Sequence, residues 1–75
     1  MEVFDRITVD PSKMGGVPCV HGLRMPVRQI LSLLADGMSP DQILAERDYL
    51  KPEDITACLR YAAHLADERT VSTAP

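Results

Sequence analysis

A chain of 75 residues makes at most one domain, and one this short buries only about 60% of the surface its unfolded form exposes, which excludes a large self-sufficient core. It is 45% hydrophobic and 25% charged, with no apolar run near the roughly 20 residues a bilayer crossing needs, so a disordered chain and a membrane-spanning one are both excluded. A net charge of −3 argues against a strong non-specific hold on nucleic acid, which depends on many Lys and Arg contacts to phosphate.

The charge is polarised. Arg6, Lys13, Arg24 and Arg28 are half of the eight basic residues, while eight of the eleven acidic residues lie from Asp36 onward. The segment Met-Glu-Val-Phe-Asp at the start has no basic stretch followed by an apolar one. No signal peptide is expected there, and a cytoplasmic location is. Domains this small generally need a disulfide, a metal or a partner subunit. Cys19 and Cys58 fit no zinc spacing and, in a reducing compartment, no disulfide, so a partner subunit is the expected source of stability.

In chain order, Ile7-Thr8-Val9 is a β-prone run with Val3 and Phe4 ahead of it, stopped by Pro11, which cannot donate to a ladder. Met14-Gly15-Gly16 predicts a turn, Val17 to Val20 a second strand, His21-Gly22 a tight turn, and Leu23 to Met25 a returning strand. Strands of about three residues do not make an independent sheet, so they must lie on helices or pair with another chain. The stretch from Met14 to Val27 holds three of the four glycines and two of the six prolines. It separates alternating from helical periodicity, and Val17 to Met25 within it is the expected edge for assembly.

Pro26 suits the first turn of a helix, and Val27, Ile30, Leu31 and Leu34 recur at helical spacing up to a glycine cap at Gly37. Ser39-Pro40-Asp41-Gln42 spells a capping box for a second helix ending near Arg47. Tyr49 and Leu50 are expected to plug the base of the bundle. Pro52, Glu53 and Asp54 open a third helix reaching about Glu68, with Lys51 a poor cap because it offers no side-chain acceptor. The apolar arc of this helix, from Tyr61 through Cys58, Ala62, Ile55, Ala66 and Leu59 to Ala63, spans roughly 200°, about twice what packing on one side requires. The fold class expected is mainly α, a three-helix bundle of helix-turn-helix type with a short N-terminal β element. Residues 1–69 form a single domain and 70–75 a flexible tail.

Several kinds of chemistry can be weighed. Cys19 and His21, two apart in a strand, share a face and suggest a thiolate–imidazole pair. No oxyanion donor, third residue or pocket accompanies them, so the plainer reading is a core thiol and a turn histidine, with no catalytic residues. His64 falls on the polar arc opposite Cys58, so no metal or cofactor site is expected. As a recognition helix the third helix offers Arg60 but starts with Glu53 and Asp54, which repel phosphate. Arg24, Arg28 and Arg60 are the candidate DNA contacts. Val20, Leu23, Met25, Leu33, Cys58, Tyr61 and Leu65 are the candidate interface positions of a homodimer or of a complex with a protein partner.

The segments Ile7 to Pro11, Met14 to Val20 and Gly22 to Val27, followed by Leu34 to Pro40, Ile43-Leu44, Tyr49-Leu50 and Pro52 to Ile55, resemble a widespread bacterial and archaeal family. It is the domain of unknown function numbered four-thirty-three, and the likeness covers about residues 6 to 66. The resemblance implies a homeodomain-like helical core. It also implies the role of an antitoxin that binds and neutralises a PIN-like ribonuclease toxin of a type II pair, with autoregulation of its operon through operator DNA as a further expectation. No enzymatic activity, small-molecule substrate or membrane association is implied. A stand-alone dimeric helix-turn-helix transcriptional regulator is the alternative. His21, Leu23 and Lys51 depart from the family, which usually has a basic residue and two threonines at these positions. The first change weakens a DNA contact at that turn, and the second favours a partner-facing apolar surface.

Overall fold

The computed structural model describes residues 1–67. Three short strands precede three helices: β1 (Glu2–Phe4), β2 (Ile7–Thr8), β3 (Cys19–Val20), α1 (Val27–Ala35), α2 (Pro40–Glu46) and α3 (Pro52–Ala66). The strands form an antiparallel sheet in the order β1-β2-β3, and about half of the described residues are helical. The fold is therefore three helices with a small sheet. The expectations for Glu68 and for the tail 70–75 lie outside the described residues.

β1 did not stand out in the sequence as a strand. It pairs with β2 through Glu2 opposite Thr8 and Phe4 opposite Ile7, with one irregularity in register between them. The Asp5-Arg6 connection turns tightly because Arg6 adopts φ +64°, a left-handed conformation uncommon outside glycine. β3 pairs with β2 through Ile7 opposite Val20 and Thr8 opposite Cys19. The returning strand expected over Leu23 to Met25 does not form. A single bridge between Cys19 and Pro26 replaces it, because the chain turns directly into α1 at Val27.

The helix boundaries follow local chemistry. α1 ends in a Schellman motif: Gly37 sits at φ +100°, its N–H donates to Leu34 O (3.0 Å), and Met38 N–H donates to Leu33 O (3.1 Å). α2 starts in a full capping box, with Gln42 N–H donating to Ser39 Oγ (3.1 Å) and Ser39 N–H to Gln42 Oε1 (2.8 Å). α3 solves its missing cap from within. Lys51 offers no acceptor, but the Asp54 carboxylate reaches back to accept the Lys51 N–H at 2.9 Å. Half a capping box thus ties down the chain just before the helix.

The core gathers Ile7, Val20, Met25, Val27, Ile30, Ile43, Leu50, Ile55, Ala57 and Cys58. Around it Phe4, Leu23, Leu31, Leu33, Leu34, Met38, Leu44 and Tyr61 are only half-covered. Leu50 plugs the base alone, since Tyr49 remains 52% exposed. The broad arc read for the third helix is covered only near the start of α3. Its buried residues are Asp54, Ile55, Ala57 and Cys58, and everything from Ala63 to Asp67 is exposed. The core does not reach the last turn, so Leu65 is 48% exposed, while Leu59, equally exposed, lies off the helix face centred on Asp54 and Cys58 that the core covers.

Candidate interaction surface

The glycine-rich stretch is fastened from both sides. Met14, Gly15 and Gly16 take three consecutive left-handed conformations (φ +53°, +68° and +81°), closed by Gly16 N–H donating to Lys13 O at 2.9 Å. Gly22, at φ +72°, occupies the third position of a turn in which Leu23 N–H donates to Val20 O at 2.9 Å. Val20 N–H then donates to Met25 O (2.9 Å) and Val27 N–H to Pro18 O (3.0 Å), on either side of the Cys19–Pro26 bridge. The second of these also satisfies an N–H that the start of α1 would otherwise leave unpaired. His21 N–H donates to Arg6 O at 2.7 Å, binding the turn to the β1–β2 connection. These bonds close the outer side of β3, so the sheet edge left open is β1. The sequence placed that edge at Val17 to Met25.

Three candidate interface positions prove to be interior. Val20, Met25 and Cys58 are 1%, 5% and 0% exposed, because β3 and the first two turns of α3 face the subunit's own core. Leu23, Leu33 and Tyr61 are half-buried at its margin, and Leu65 is exposed. Tyr61 packs against Phe4 in a tilted pair with ring centroids 5.5 Å apart, and His64 lies 5.4 Å from the same ring. This cluster joins β1 to α3, and the polar-arc assignment of His64 did not reveal it.

Arg24, Arg28 and Arg60 are all exposed, and none has an ion-pair partner among the described residues. Their settings differ. Arg60 borders a shallow depression with Asp5, Arg6, Glu53 and Thr56, a mixed-charge surface. Arg28 borders a groove of about 170 Å³ whose other lining residues are Val17, Pro18, Val27 and Leu31.

Cys19 and His21 both border a cavity of about 200 Å³ with Thr8, Asp10 and Lys13. The Cys19 thiol is buried and directed at Val17 O (3.5 Å), while His21 is exposed. The Ser12 hydroxyl and N–H, at 2.6 and 2.9 Å, hold the Asp10 carboxyl below its ordinary pKa. Among the described residues no group of three or more His, Cys, Asp or Glu side chains is placed to hold a metal ion.

The Cys58 thiol is pushed up to about 11, chiefly by burial and secondarily by the negative charge of Asp54. The folded state favours the neutral thiol, so its contribution to stability is complete below pH 9 and is lost as pH rises toward 11. At about 1.4 kcal/mol per pKa unit, wild-type stability should fall by about 2 kcal/mol more between pH 8 and pH 10.5 than that of Cys58→Ala. Urea melts at pH 8 and pH 10.5 read the difference. Equal pH dependence in the two proteins would contradict it.

The sequence profile of the family described as "Protein of unknown function (DUF433)" matches residues 7–62. The chain belongs to that family, as the glycine- and proline-bearing motifs predict. A crystal structure of a DUF433 member protein from Anabaena variabilis is similar, with 25% identity and a TM-score of 0.75 over 79% of this chain. This chain spans 58% of that protein's length, less than two thirds. No curated protein matches it. No helix among the described residues is long and apolar enough to cross a membrane.

Proposed function

We propose that the chain is an antitoxin-like protein of the cytoplasm. It binds and neutralises a PIN-like ribonuclease toxin and acts as a homodimer. The observation that carries the protein-binding part of this reading is the incomplete closure of the core. Eight large side chains are half-covered at its margin, Leu65 stands out on α3 where the core ends, and Leu59 is exposed off its covered face. A second protein supplies what a chain of this length lacks. The antitoxin role itself rests on the resemblance carried by the Met14 to Val27 motifs. Co-expression with the product of the neighbouring gene tests it. The expected result is a co-purifying complex in which that product's ribonuclease activity is suppressed. Separate elution together with a harmless neighbour would overturn it.

The second reading is a homeodomain-like, helix-turn-helix regulator of its own operon. Arg24 and Arg28, exposed and without an ion-pair partner among the described residues, favour it. Glu53 at the start of α3 disfavours groove entry by that helix, and Asp54 there is already engaged by Arg6. This reading requires a gel shift on the upstream DNA at low salt. Arg24→Ala and Arg28→Ala would each weaken the shift and reduce its salt slope by about one.

A further inference from the structure

The groove between the Val17-Pro18 segment and α1 combines two features. Its walls are apolar: Val17 and Pro18 on one side, Val27 and Leu31 on the other. Its only charged lining residue is Arg28, which is exposed and has no ion-pair partner among the described residues. The start of α1 adds to the positive potential, since its first turn holds no acidic residue and Pro26 provides no side-chain cap.

The size limits the occupant. About 170 Å³ is close to the roughly 150 Å³ apolar cavity that holds one benzene, and well below the roughly 300–1,000 Å³ of small-molecule sites. One branched or aromatic side chain fits. A nucleic-acid backbone gains nothing from walls of Val, Pro and Leu, which favours protein over DNA as the ligand of Arg28. We propose that this groove docks a short acidic peptide segment of a partner protein, with one leucine-sized side chain between Pro18 and Leu31 and a nearby carboxylate on Arg28. The inference rests on the reading that the chain works by holding a protein partner, and it names the surface and the chemistry of that hold.

The test is an amide NMR titration of the full chain with the blocked peptide Ala-Glu-Leu-Glu-Ala. The expected result is concentration-dependent shifts centred on Val17, Val27, Arg28 and Leu31. They disappear when the peptide leucine becomes serine. Arg28→Glu weakens the binding about tenfold and gains binding to Ala-Lys-Leu-Lys-Ala. Arg28 is exposed, so this variant is expected to keep the wild-type spectrum elsewhere. Shifts away from the groove, or shifts indifferent to the leucine or to Arg28→Glu, would overturn the proposal. So would a silent peptide alongside salt-sensitive shifts at Arg24 and Arg28 on adding a DNA duplex, which assigns the surface to nucleic acid. Failure here is distinct from failure of the antitoxin reading. A neighbour complex untouched by Arg28→Glu removes only the groove, and peptide binding without any neighbour complex removes only the antitoxin.

Discussion

Ile30→Ala should remove a large part of the chain's stability. Ile30 is fully buried, in the middle of α1, at the centre of the cluster that joins the sheet to α2 and α3. Deleting a buried isoleucine to alanine typically costs about 2–5 kcal/mol, as lost burial plus the cavity left behind. A domain of this length has only about 3–10 kcal/mol in total. Each kcal/mol moves the melting midpoint by about 4–8 °C at this size, so a drop of at least about 10 °C is expected by circular dichroism. Leu31→Ala, on the half-covered rim of the same helix, should cost clearly less. Equal losses at the two positions would mean that α1 does not present Ile30 inward. A partner that binds only the folded chain should restore part of the loss, in proportion to the logarithm of its concentration.

Asp54→Ala should give the second large loss, although Asp54 touches no hydrophobic contact that the substitution removes. One carboxylate oxygen accepts the Lys51 N–H and the other accepts Arg6 Nε–H, both at 2.9 Å. The first bond caps α3, and a helix cap is worth about 1 kcal/mol. The second joins α3 to the β1–β2 connection, where Arg6 holds a left-handed backbone. Removing the carboxylate therefore uncaps the helix and frees a strained turn in one step. Asp54→Asn should fall between alanine and wild type, because an amide has one acceptor oxygen for two donors. Combining Asp54→Ala with Arg6→Ala should cost less than the sum of the two, since both delete the same bond. Full additivity in thermal melts would show that the pair is not coupled.

The resemblance of Asp54 to an ordinary first-turn acid explains why its second role could not be read from the sequence. Glu53 and Asp54 look alike there, as two carboxylates at the positive end of a helix. Only one of them is 5% exposed and faces an arginine 48 positions earlier. Tyr49 and Leu50 are the same kind of case. Both are large and apolar beside a turn, and only packing sends Leu50 inward and leaves Tyr49 outside. Val20, Met25 and Cys58 were read as interface because a short chain with wide apolar faces needs a partner. Those three side chains instead meet the chain's own core.

What the amino-acid order determined by itself is local. The capping box at Ser39, the glycine stop at Gly37, the start of α1 after Pro26 and the left-handed turn at Gly22 all depend on hydrogen bonds within a few residues and on φ values that residue type controls. Family membership was legible for the same reason, since its motifs are these turns. The tertiary structure decided which sheet edge stays open. Bonds from Val20 and Val27 close the side of β3, so β1 is the free strand. It also decided how far the core extends along α3, and that Arg28 borders an apolar groove while Arg60 sits on a mixed-charge surface. These outcomes depend on pairings between segments far apart in the chain. Periodicity records which residues share a face of one element, but not which element that face will meet.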